Sequence, residues 1–238
     1  MASGKLRITH LSAHDVRFPT SLESHGSDAL HHDPDYSMSY VILHTSDATL
    51  QGHGFAFTIG RGTEVVVAAI RALAFLVEGR ECEQIFSQFG DFWRELTMES
   101  QLRWLGPEKG VIHMATAAII NALWDLWAKS LNKPLWKLLV DLTPEQIIST
   151  VDFRHLMDLL TPAEALGILK KNDATKHERE KLLHEKGLPA YVTSAGWLGY
   201  SDDRIKALCN QGLKEGWTWY VLYWPRMYFL KTCCVQFF

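Results

Sequence analysis

Along the first hundred residues the hydrophobic period changes once, and the change separates sheet from helix. Residues 5–18 alternate in places (Leu6, Ile8, then Val16 and Phe18) and stop at Pro19, as an edge strand does. Residues 20–37 have no period and are rich in Gly, Ser, Asp and His, the composition of a loop. Two β-rich runs follow, 38–45 and 50–59, joined by the short hairpin connection Ser46-Asp47-Ala48-Thr49. Gly52 and Gly54 within the second run predict a bulge or a close backbone approach.

After Gly60 and Gly62 the period becomes helical. Thr63, Glu64 and a long apolar run open a helix that reaches about Val77 and ends at Gly79, and shorter helical stretches occupy 82–89 and 91–96. Residues 109–130 give the strongest helical pattern. Ile112, Ala115, Ile119, Ala122, Leu123 and Leu126 fall on more than one face, which predicts burial. Pro134 stops that helix, and 135–140 reads as a short apolar turn behind it. A sheet followed by helices places the two in separate layers, an α+β module that ends near Asp141.

A linking segment comes next, then a charged amphipathic helix over 162–186 with a break expected at Asn172-Asp173 and an end at Gly187. A short strand over 191–194 precedes a helix over 201–215 capped by Ser201, Asp202 and Asp203. Gly216 closes that helix, and a strand is expected from Trp217 or just after. Strand, helix, strand is the first unit of a parallel α/β fold.

Composition narrows the function. The 238 residues suffice for one large or two small domains, with 47% hydrophobic and 21% charged residues, a globular balance. Twenty-four basic and 27 acidic side chains leave a net charge of −3, with no basic excess to follow a phosphate backbone. No run of about 18 uncharged apolar residues occurs, so neither nucleic acid nor membrane is an expected partner. The first ten residues carry neither a signal-peptide core nor an Arg-rich presequence. Cys82, Cys209, Cys233 and Cys234 are too scattered for a disulfide scaffold and fit a reducing compartment. His25, Asp28, His31, His32, Asp33 and Asp35 crowd one loop, but their spacing matches no zinc or calcium pattern, so a solvated loop is the expected reading. Trp124 and Trp127, three apart on the buried helix, are expected in the core rather than against a cofactor.

Three stretches together carry a family signature. They are the loop Arg17-Phe18-Pro19-Thr20…His25-Gly26-Ser27-Asp28…Asp33-Pro34-Asp35-Tyr36, the helix Asn121-Ala122-Leu123-Trp124-Asp125-Leu126-Trp127 running into Lys133-Pro134-Leu135-Trp136, and Tyr191-Val192-Thr193-Ser194-Ala195-Gly196-Trp197-Leu198-Gly199-Tyr200. From Ile8 to Thr218 the chain resembles the mandelate racemase branch of the enolase superfamily, and within it the L-fuconate dehydratases.

The resemblance implies a capping α+β domain at 1–141, a linker and the first β/α unit of a TIM barrel at 142–218, and an aberrant apolar tail at 219–238. It implies a parent reaction in which Mg²⁺ supports loss of water from L-fuconate to give 2-dehydro-3-deoxy-L-fuconate, in a mitochondrial setting, with the cytoplasm as the alternative. Gly26, Ser27, Asp28 and Tyr36 belong by resemblance to the loop that touches the acid sugar, and Trp197 to the rim of its pocket. Oligomerisation, or pairing with a full-length partner, is implied by the role of cap domains in the family.

One departure stands out. Where the family continues with aromatic-Lys-x-Lys-x-Gly, this chain has Tyr220-Val221-Leu222-Tyr223-Trp224-Pro225, without either lysine. A complete barrel takes about 250 residues, and the strands that carry metal carboxylates in the family have no counterpart before Phe238. The expectation is therefore a truncated form that holds no Mg²⁺, has no catalytic residue of its own, and exposes an apolar tail.

Overall fold

The structure, a computed structural model, describes residues 5–106, 108–222 and 233–236 and divides into two compact units. One unit is Met1–Val16 with Met38–Leu182, and the other is Arg17–Ser37 with Leu183–Phe238.

The first unit is built on strands β1 (Ile8–Arg17), β2 (Ser37–Thr45) and β3 (Gln51–Thr58), an antiparallel sheet in the order β1-β2-β3. Alternation in β2 is strict. Ser37, Ser39, Val41, Leu43 and Thr45 are buried, while Met38, Tyr40, Ile42 and His44 lie on the other face, as a pleat with period two requires. Asp47 shapes the β2–β3 connection by accepting the backbone N–H and the hydroxyl of Thr49 at 2.9 and 2.7 Å.

Helices α1 (Thr63–Leu73), α2 (Cys82–Ser87), α3 (Phe89–Thr97) and α4 (Val111–Ser130) share one hydrophobic core with the buried face of the sheet. Helix α4 is long and apolar enough to cross a membrane by length and composition alone, yet half of its residues are buried in this core. Its Trp124 and Trp127 stack on each other (5.3 Å) and against Phe89 (4.3 Å) and Phe86 (5.0 Å), which makes them core residues as expected.

The contact between α4 and β3 is very close. A Cβ on Gly54 would lie 2.3 Å from the Ala122 nitrogen, and one on Gly52 would lie 2.3 Å from the Ala122 carbonyl oxygen. The two glycines therefore mark a close backbone approach. At this short range three polar side chains on one stripe of α4 reach the backbone of β3, an edge strand. Asn121 donates to the Phe55 carbonyl (3.1 Å), Asp125 accepts the His53 N–H (2.8 Å), and Lys129 donates to the Gln51 carbonyl (3.2 Å). The helix thus occupies hydrogen-bonding positions that an exposed edge would offer to another chain.

Two local expectations need correction. Residues expected to form a turn after Pro134 form the helix α5 (Leu135–Asp141), because Pro134 sits at its N-cap with Leu138 buried beneath. The linking segment contains a further helix, α6 (Pro144–Ser149), fixed by a capping box between Thr143 and Gln146 with Pro144 in its first turn. Helices α7 (Pro162–Asp173) and α8 (Lys176–Lys186) follow, separated near the expected break.

The second unit contains β4 (Val192–Gly196), α9 (Asp202–Lys214), β5 (Trp219–Leu222) and β6 (Cys233–Gln236). β4 and β5 are parallel and β6 returns antiparallel to β5, so the expected strand–helix–strand unit is present with β5 in the middle. Ser201 caps α9 through the Arg204 N–H. Tyr220 is fully buried, its hydroxyl donating to the Cys209 carbonyl at 3.3 Å, and Gly212 leaves room for that ring. The tail is thus not exposed throughout: Tyr220, Val221 and Leu222 are buried, with Tyr220 and Leu222 packed in one cluster with residues of β4 and α9. Residues 223–232 lie outside the described residues.

Replacing Gly54 with Ala should destabilise the chain by about 3 kcal/mol or more, since backbone rather than a flexible side chain blocks the added methyl. Denaturant unfolding of the variant against Ser39→Ala, which deletes one buried hydroxyl, checks this. A loss no larger than that control would show that α4 can move away from β3.

Candidate functional site

The loop Arg17–Ser37 packs in the second unit with the segment after β4. Its base closes through Phe18 N–H to the Tyr36 carbonyl (3.0 Å) and Tyr36 N–H to the Thr20 hydroxyl (2.8 Å). Thr20 in turn donates to the Pro34 carbonyl at 2.8 Å, and Asp35 accepts from the Ser21 N–H and hydroxyl at 3.2 and 2.7 Å. These short-range bonds give a polar sequence without period a defined shape.

Gly26 adopts φ +78°, a left-handed conformation that favours glycine, and a Cβ there would fall 2.4 Å from the Tyr36 ring. The Tyr36 ring meets Trp197 edge to face, with centroids 6.4 Å apart. Both rings are half-buried. Ser27 is only 2% exposed. Its hydroxyl donates to the Ser24 carbonyl (2.8 Å) and accepts the Gly199 N–H (2.9 Å), while its carbonyl accepts the Leu198 N–H (3.1 Å). Gly199 is also tightly packed, since a Cβ there would lie 2.4 Å from the Ser24 side chain.

Asp28 is occupied within its own turn. Its Oδ1 accepts the N–H groups of Leu30 (2.8 Å) and His31 (2.7 Å), and the His31 ring lies 3.1 Å away. Burial, the largest single influence, raises the Asp28 pKa; the hydrogen bonds from His31 and Leu30 outweigh it together and leave the carboxyl below its ordinary value.

The structure therefore brings Gly26, Ser27, Tyr36 and Trp197 together, with Asp28 shaping the loop beside them. It does not gather the loop's histidines and carboxylates. His31 pairs with Asp28, Asp35 with Ser21, and His25 with Tyr200. Mg²⁺ calls for several converging oxygen ligands. Among the described residues no three His, Cys, Asp or Glu side chains are placed to hold a metal ion, so these residues do not fit the Mg²⁺ that the family resemblance implies. Sequence reading overlooked Gly199 and Tyr200 as partners of the loop; the only signal for them was their place in the Trp197-Leu198-Gly199-Tyr200 run.

Comparison with known proteins agrees with this architecture. Residues 33–140 match the family described as mandelate racemase / muconate lactonizing enzyme, N-terminal domain. The chain belongs to the enolase superfamily, in its mandelate racemase branch. It is 55% identical over 219 residues to mitochondrial enolase superfamily member 1 of Xenopus laevis, covering 92% of this chain and 49% of that protein. It is 48% identical to the L-galactonate dehydratase of Hypocrea jecorina, over 90% of this chain and 47% of that one. The crystal structure of human mitochondrial enolase superfamily member 1 superposes with a TM-score of 0.88 at 54% identity, covering 92% of this chain and 50% of that one. The chain spans about half the length of the curated relatives it matches.

The depressed Asp28 carboxyl gives a pH prediction. Because its folded value is lowered, its contribution to the turn is complete above the ordinary value of 3.8 and declines as pH falls through the folded one. Amide exchange at Leu30 and His31, corrected for intrinsic rates, should accelerate only in that acid range, and Asp28→Asn should remove the step. A step of equal size in the variant would assign it to another group.

Proposed function

We propose that this chain carries the substrate-covering part of an acid-sugar dehydratase and does not itself perform the dehydration. Support for the substrate class comes from the 48% identity to an enzyme named L-galactonate dehydratase, together with the resemblance to L-fuconate dehydratases. The two substrates share one configuration, since L-fuconate is L-galactonate without the C6 hydroxyl. In this reading the Tyr36–Trp197 pair and the Gly26 backbone face the sugar acid, while Ser27 and Asp28 hold the loop in shape. The mitochondrion is the proposed compartment, following the names of the animal relatives.

Catalytic silence follows, in this reading, from the loss of both lysines of the family motif. Dehydration begins with removal of a weakly acidic proton beside the carboxylate, a task for Lys or His in this superfamily; the handling of such bases with Mg²⁺ is a standard case. Val221 in β5 stands where the family motif has its first lysine, and it is buried and has no group to take a proton. Tyr223, at the second lysine position, lies outside the described residues.

The test is Mg²⁺-dependent formation of the 2-dehydro-3-deoxy acid from L-fuconate and from L-galactonate by the purified chain, beside a full-length relative as positive control. The expected result is no product above background with either substrate while the control turns over. Product formation at a rate within a hundredfold of the control would refute the proposal and require another base in this chain.

A further inference from the structure

Within the second unit, four side chains form a closed ring of contacts between the loop and the segment that opens α9. Glu23 and His25 come from the loop; Tyr200 and Arg204 come from the segment that opens α9. His25 Nε2 lies 3.1 Å from Glu23 Oε2, and its Nδ1 is hydrogen-bonded to the Tyr200 hydroxyl. The Arg204 guanidinium stacks over the Tyr200 ring at 4.0 Å. It returns to the loop by donating to the Glu23 carbonyl (3.3 Å) and to Glu23 Oε2 (3.2 Å).

An ionised carboxylate only accepts, so in the tautomer that places the ring proton on Nε2 toward Glu23, Nδ1 of His25 accepts and the Tyr200 hydroxyl donates. Burial pushes the Tyr200 phenol up, which keeps that proton in place at neutral pH. Glu23, His25 and Arg204 are all substantially exposed, so as isolated ion pairs they would contribute little. Tyr200 is 6% exposed and touches both sides of the ring, so it is the member that couples the exposed ones.

We infer that the Glu23–His25–Tyr200–Arg204 ring is a latch whose members are positioning residues: it holds the loop against the end of β4 and thereby sets the placement of Gly26, Ser27 and Tyr36. The role toward substrate rests on the function proposed above; the latching itself does not. Neither Tyr200 nor Arg204 needs to touch a ligand to have this effect. If the loop is competent only when docked, opening the latch lowers affinity by the fraction of docked loop that is lost.

Amide exchange in the full chain reads the latch without any ligand. The Leu198 and Gly199 N–H groups bond to Ser27, so they are protected only while the loop is docked. Tyr200→Phe keeps the ring under Arg204 but removes the donor to His25, and should speed exchange at these two amides about fivefold. Arg204→Ala should do the same, and Arg204→Lys should restore little because the planar stack is lost. The double variant should fall short of the product of the single effects, as expected for groups in one network. Exchange at Val41, Leu43 and Cys209 serves as the control for folding and should not change. Unaltered exchange at Leu198 and Gly199, or fully multiplicative effects, would overturn the latch.

A second readout separates this inference from the functional one. L-Galactonate binding, followed by saturation-transfer NMR titration, should weaken in Tyr200→Phe by the fraction of docked loop that the variant loses, a smaller factor than the exchange acceleration as long as the docked form stays the major one. Faster exchange with no L-galactonate or L-fuconate binding by either protein would leave the latch standing and refute the substrate role of the loop.

Discussion

The first unit depends on how near α4 comes to β3. Two positions without side chains on the strand, Gly52 and Gly54, face the small side chains and bare backbone of Ala118 and Ala122. Only at that separation do Asn121, Asp125 and Lys129 reach the strand's peptide groups. The same rotation of α4 turns Trp124 and Trp127 toward Phe86 and Phe89, so α2 and α3 are placed by the helix face that the strand leaves over. A larger residue on either side of the contact would disturb edge protection and aromatic packing together, since neither can be adjusted alone in a close-packed interior.

The second unit solves a different problem with little core. Ala195, Tyr200, Ile205, Cys209, Tyr220 and Leu222 form its buried cluster, a small one by the standard of the first unit. Polar fastening therefore carries more of the order here. Ser27 joins two chain segments with both its hydroxyl and its backbone, and Gly199 allows Ser24 to approach. Residues singled out in the sequence as substrate contacts are in part occupied with each other. The rings of Tyr36 and Trp197 are half-buried and meet edge to face.

Legibility in the sequence followed the range of the interaction. Alternation in β2 and the three- and four-residue spacing in α4 are local, and both elements lie where the pattern puts them. α6 was readable in principle from Thr143-Pro144-Glu145-Gln146, but six residues hold too little periodicity to stand out from a linker. The helix motif Asn121…Lys129 was recognisable as a family mark, whereas its reason, a strand edge more than sixty residues earlier, was not. The loop shows the limit most clearly. Its histidines and aspartates were read as a solvated loop, and the His31–Asp28 contact is indeed local, yet His25 also bonds to Tyr200, 175 residues away. No periodicity reports such a pairing. That the two segments both belonged to the family signature was the one hint of their joining.

The Ser27–Gly199 bond spans 172 residues. At a synthesis rate of about 5–20 residues per second, the loop leaves the ribosome roughly 10 to 30 s before its docking surface exists. In the later part of that interval, once Ser130 has emerged, the three strands and α4 can assemble, while the loop between β1 and β2 still lacks its docking surface. Its polar, aperiodic composition suits that delay: an apolar segment in the same position would offer itself to chaperones or to neighbouring nascent chains. The order of the chain thus places a late-docking element well ahead of its docking surface and makes its solubility before docking as much a requirement as its shape afterwards.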